Sequence, residues 1–111
     1  MATDKDFIEF TVSQIELPYL IRYVKMFGEY ALYCNHKVVA LVCDNRMLVK
    51  ITEEGKAFIG NYVEGIPFPG AKPCFHIEEK LEDGEWLSQL LEITFNALPE
   101  PKPKKKKKSI L

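Results

Sequence analysis

The sequence predicts a single α+β domain: one antiparallel β-meander sheet with flanking helices, in two layers. Two observations predict it and a third excludes the main competitor. Runs of β-branched and aromatic residues are separated by two short breaks, Asn35-His36 and Asp44-Asn45, of the kind that close tight hairpins. Segments with helical apolar spacing stand near the two ends of the chain, outside the strand-rich stretch. Strands and helices do not alternate as a doubly wound nucleotide-binding sheet requires.

The elements follow in order. Thr3 or Asp4 is expected to cap a first helix over roughly 4–15, with Asp6 favourable in its first turn and Phe7, Ile8, Phe10, Val12 and Ile15 on its apolar positions. Pro18 ends it, because proline cannot continue the hydrogen-bond ladder. Residues 19–34 are aromatic and β-branched, so they are expected to be extended, with Gly28 marking a bend or bulge. Residues 31–34, 37–43 and 46–51 then read as a three-stranded meander. Its middle strand is apolar on both faces and is expected to be central and covered on both sides. In the third strand Met47, Val49 and Ile51 point one way, and Arg46, Leu48 and Lys50 the other. A short helix opens at Thr52-Glu53-Glu54 and closes at Gly60. Residues 61–72 are expected to be loop and 73–77 a further strand. Asp83 caps a last helix carrying Leu87, Leu90, Leu91, Thr94, Ala97 and Leu98, which Pro99 stops. The order is helix, three strands, short helix, strand, helix. The expected organisation is a domain over 3–98 and a disordered Lys/Pro-rich tail over 99–111.

The chain has 111 residues, enough for one domain. With 47% hydrophobic and 28% charged residues it falls outside the range of wholly disordered chains. No run approaches the ~20 apolar residues of a membrane span, and the N-terminus lacks the apolar stretch of a secretory signal. A cytoplasmic location is the resulting expectation. The net charge of −1 hides an asymmetry: residues 1–98 hold nine basic and fifteen acidic groups (9 − 15 = −6), and residues 99–111 six lysines and one glutamate (6 − 1 = +5). Cys34, Cys43 and Cys74 are odd in number, form no C-x-x-C pair and have apolar or aromatic neighbours, so they read as reduced core residues.

One stretch carries a family resemblance. Met26-Phe27-Gly28-Glu29-Tyr30-Ala31-Leu32-Tyr33 resembles the M-F-G-G-Y-G-x-Y segment of the N-terminal domain of TfoX-type competence regulators. The resemblance continues through Lys37, Ala40, Leu41, Val42, Asp44, Arg46 and Lys50. It returns at Pro67-Phe68-Pro69-Gly70 and in the leucine-rich last helix, covering roughly residues 5–98. Glu29 and Ala31 replace glycines of that pattern, and His36 stands where the family often has a hairpin glycine. The resemblance implies a compact α+β fold and a regulatory role in natural transformation without catalysis. It also implies a stand-alone version of the N-terminal module.

Several constellations of residues bear on chemistry. Cys34-x-His36 and Cys74-x-His76 are two C-x-H pairs that together offer a zinc ligand set, although His36 falls in a turn. Cys74 with His76 is the one nearby thiol–imidazole pair. Gly65, Pro67 and Gly70 lack the Lys-Ser/Thr ending of a phosphate loop. Lys102, Lys104, Lys105, Lys106, Lys107 and Lys108 are candidate phosphate contacts of a non-specific kind. Tyr30, Tyr33, Arg46 and Lys50 form a candidate surface platform of aromatics beside cations. The expectation is a non-enzymatic regulatory or interaction module with no cofactor, metal or membrane contact. Its expected partner is a protein or a second copy in a homodimer. The alternatives are weak nucleic-acid binding through the tail and, behind it, a zinc or thiol site at Cys34 and Cys74.

Overall fold

The computed structural model describes residues 3–26 and 28–100. The element order is α1 (Lys5–Ser13), β1 (Ile21–Met26), β2 (Glu29–Cys34), β3 (Lys37–Cys43), β4 (Arg46–Val49), α2 (Glu53–Ile59), β5 (Glu64–Gly65), β6 (Cys74–Ile77), a 3₁₀ turn (Glu79–Glu82) and α3 (Gly84–Ala97). The strands form one antiparallel sheet in the order β1-β2-β3-β4-β6-β5, so the class is α+β as the sequence predicts.

The meander has four strands where three were expected. Gly28, at φ 82°, takes a left-handed conformation that costs glycine little and turns the chain straight back, so that Met26 pairs with Glu29. The two Asn/Asp turns are present. Asp44 and Asn45 both have positive φ (54° and 56°), the pattern of a type I′ hairpin. At the other turn only Asn35 is left-handed, at φ 52°, so His36 occupies it without the strain a glycine position would impose. Within the expected loop 61–72, Glu64 and Gly65 form β5 against Phe75 and Cys74.

The pairing of β2 with β3 shifts register: Leu32 faces Ala40, whereas Tyr33 faces Val38. Val39 is the extra residue of a bulge, and a bulge reverses the face of what precedes it. Ala40 and Val42 therefore point into the core from one side of the bulge, and Val39 from the other. Lys37 is turned the same way. It is buried, and its Nζ donates to the carbonyl oxygens of Phe95 and Leu98, both at 2.8 Å, at the end of α3.

The three helices cover one face of the sheet. Ile8 of α1, and Leu87, Leu90 and Leu91 of α3, pack on Leu32, Val39, Val42, Met47, Val49 and Phe75, with Phe58 and Ile59 of α2 at the margin. β3 is central, as its two apolar faces require. Two caps are as expected: Thr52 Oγ1 accepts from Gly55 N (2.9 Å) and Asp83 Oδ1 from Trp86 N (3.1 Å). The first helix is shorter than 4–15, and Asp4 precedes it without a side-chain cap bond. Thr3 is used elsewhere: it is buried, donates to Glu29 Oε1 (2.6 Å) and accepts from Asn45 N (3.2 Å). No described helix is long and apolar enough to cross a membrane.

Candidate functional site

The helices leave the other face of the sheet to be read residue by residue. Strand alternation and the pairing register place side chains there in rows. One row runs Val24, Ala31, Leu41, Leu48, His76 across five strands. Beside it runs Arg22, Tyr33, Val38. On the other side lie Met26 with Glu29, and Cys43 with Arg46. Cys43, Leu48 and Cys74 form a small buried cluster with Leu41 against them.

A strap over 64–70 partly covers this face. It starts as β5, and a Cβ on Gly65 would lie 2.8 Å from Leu48 Cδ2, so a side chain there would have to displace the end of Leu48. Arg46 Nη2 donates to Ile66 O (3.1 Å), holding the strap from below. Pro67 is buried while Phe68 stays 56% exposed. Met26, Leu41, Cys43, Pro67 and Phe68, with Glu29 and Tyr30, line a groove of about 410 Å³ that is almost wholly apolar.

Charges are segregated between the two sides. Arg22, Arg46, Lys50 and Lys72 stand on the open face or line its grooves, with Glu29 and Glu64 as the acids there. Glu29 is already held by Thr3 and by Asp44 N (3.0 Å). Most of the fifteen acids of residues 1–98 fall on α1, α2, the 3₁₀ turn and α3 or beside them. The Arg22 guanidinium lies 4.1 Å from the centre of the Tyr33 ring, and stacking on a ring face leaves in-plane N–H groups available to an acceptor.

Of the four expected platform residues, the fold brings three together. Tyr33, Arg46 and Lys50 share the open face. Tyr30 is corrected: it is 7% exposed and belongs to the helix-side core, edge-on to Tyr23 at 5.4 Å. Positions 30 and 33 are three apart, an odd offset, so an uninterrupted strand turns them to opposite faces. Sequence reading missed Arg22, whose partnership with Tyr33 depends on the β1–β2 register, and buried Lys37, whose orientation depends on the bulge. Lys102 and Lys104 through Lys108 lie outside the described residues.

The two C-x-H pairs do not converge. Cys34 lies in the core under the helices, Cys74 in the cluster on the opposite face, and the sheet runs between them. His36 is exposed in its turn and pairs with Glu100, which also lies 3.7 Å from Lys37 Nζ. Among the described residues no group of three or more His, Cys, Asp and Glu is arranged to hold a metal ion. Burial pushes the Cys34 thiol up to about 11 and is the main cause of the upward shifts of Cys43 and Cys74, although Lys50 pulls Cys74 down. All three thiols are thus held in the protonated, poorly nucleophilic form at neutral pH.

Comparison with known proteins adds two findings. Residues 20–98 match the TfoX N-terminal domain family, from the start of β1 through α3. The chain is also 44% identical over 107 residues to the "Uncharacterized 12.7 kDa protein in trpE 5'region" of Spirochaeta aurantia. That alignment covers 96% of this chain and 93% of the relative.

Proposed function

The chain belongs to the TfoX N-terminal domain family, and we propose that it acts as a non-enzymatic regulatory module of the competence-regulator type. In this reading it works through protein contacts on the open face of its sheet. The observation that carries the reading is the composition of that face: an apolar groove at Met26, Leu41, Pro67 and Phe68, on the same side of the sheet as Arg22, Arg46 and Lys50, in a body otherwise acidic. A surface that combines an exposed apolar patch with separate cations on one face fits a protein partner. The thiols support the reading, since nothing around them generates a thiolate.

A second reading rests on the tail. Six lysines within 99–111 are enough to attract nucleic acid without sequence preference. The two are separated by titrating labelled DNA and RNA oligonucleotides across salt. One arm uses the intact chain and the other a chain with Lys102 and Lys104 through Lys108 replaced by serine. The expected result is weak, salt-steep binding by the intact chain. Its log–log salt slope should shrink by up to about 5 in the replaced chain. Sequence-selective binding that survives the replacement would overturn the protein-contact reading.

A further inference from the structure

The two edges of the sheet are unequal. β5 is two residues long and is followed by the strap, with Pro67 close behind. β1 is six residues long, contains no proline and, among the described residues, pairs with β2 alone. Its second side therefore presents unpaired main-chain groups along Ile21–Met26, a template for another strand. Four of its residues, Arg22, Val24, Lys25 and Met26, are exposed. Val24 and Met26 are 38% and 44% exposed, and Met26 also lines the apolar groove.

Charge decides what fits this edge. The strand reads Ile-Arg-Tyr-Val-Lys-Met and carries two cations and no acid. Among the described residues neither Arg22 nor Lys25 has an ion-pair partner. A second copy laid along the same edge brings four cations into one seam, which like-charge repulsion disfavours. A nucleic acid has no main-chain donors and acceptors spaced to extend the ladder.

We propose that β1 takes an extended, acidic segment of a partner protein as a seventh strand, added at the sheet edge. The inference rests on the protein-contact reading above and names the chemistry of its partner. Read antiparallel to β1, the incoming strand shows apolar, acidic, apolar, apolar, acidic side chains opposite Met26, Lys25, Val24, Tyr23 and Arg22. One carboxylate meets Lys25 on the helix side. The other meets the in-plane N–H groups of the Arg22 guanidinium, stacked over Tyr33 on the open side.

The test uses a labelled synthetic peptide with the core Leu-Glu-Val-Val-Glu, its Glu-to-Gln counterpart, and the whole chain. Anisotropy measures binding, and amide hydrogen exchange reports which strand is covered. The expected result is saturable binding of the acidic peptide with new protection over 21–26. The affinity should fall at least about tenfold both for the Gln peptide and for the exposed double variant Arg22→Glu, Lys25→Glu. Equal affinity of either control, protection outside β1, no binding, or a chain that sediments as a dimer with β1 already protected would each overturn it. A free peptide beside a lysine-replaced chain that ignores nucleic acid sinks the edge alone. Sequence-selective nucleic-acid binding by that chain sinks the underlying reading.

Discussion

Lys37 shows how much one side chain can do when the backbone aims it. Its buried ammonium satisfies two carbonyls at the end of α3, where the negative end of the helix dipole also favours a cation, and it sits 4.6 Å from the Phe95 ring centre. Lys37→Ala removes those contacts and leaves both oxygens to find water. A loss of about 2 kcal/mol is expected, read as a lower urea midpoint at unchanged slope. Glu100 adds an acid-sensitive contact at the same corner. Its hydrogen bond with His36 is the main cause holding its carboxyl below the usual value of 4.5. A depressed carboxyl stabilises the fold above its unfolded value and loses that contribution as pH falls through the folded one. Glu100→Gln should therefore flatten the acid limb of a stability–pH curve below about pH 5. Burial raises Cys34 in the opposite sense: the unfolded chain releases the thiol proton near 9 and the folded chain near about 11. Stability is expected to decline as pH rises across that window. Alkylation at pH 8 should be slow until the chain is unfolded. At this scale the sequence reveals residue types but misleads about their facing. The burial of Tyr30 follows from strand alternation, whereas the burial of Lys37 needs a bulge that leaves no local signature.

The hairpin turns were the most legible elements, because Asn35, Asp44 and Asn45 do what few residues tolerate and adopt positive φ. Gly28 gives a weaker signal: a glycine in an aromatic run marks a change of direction without saying whether it is a bend or a full reversal. β5 and its strap were illegible, since a two-residue strand has no periodicity and the prolines around it read as loop. The bulge at Val39 was invisible, yet it sets which way the start of β3 faces. Deleting Val39 straightens the pairing of β2 with β3, leaves Val38 opposite Tyr33 and Lys37 opposite Cys34, and removes a fully buried side chain from the core. A loss of more than about 3 kcal/mol, or failure to fold, is expected in a denaturant titration. Retained stability would show that the buried Val39 side chain contributes little to the core.

At the scale of the whole molecule, the sheet divides an acidic helix layer from a face that carries Arg22, Arg46 and Lys50 beside an apolar groove. Composition alone hides this division, since the near-neutral total sums an acidic body and a basic tail, and the body total in turn hides its own two sides. Under the proposals above, the basic tail and the sheet edge take different partners: phosphates for one, carboxylates on an extended strand for the other. The measurement that tests this most directly is a two-dimensional amide NMR titration of the labelled chain, run with the acidic peptide and, separately, with an oligonucleotide. The account predicts that the peptide shifts amides over 21–26 and the neighbouring 29–34, and that the oligonucleotide shifts those of the lysine-rich tail. Peptide shifts confined to the helix layer, or oligonucleotide shifts on the open sheet face, would contradict it.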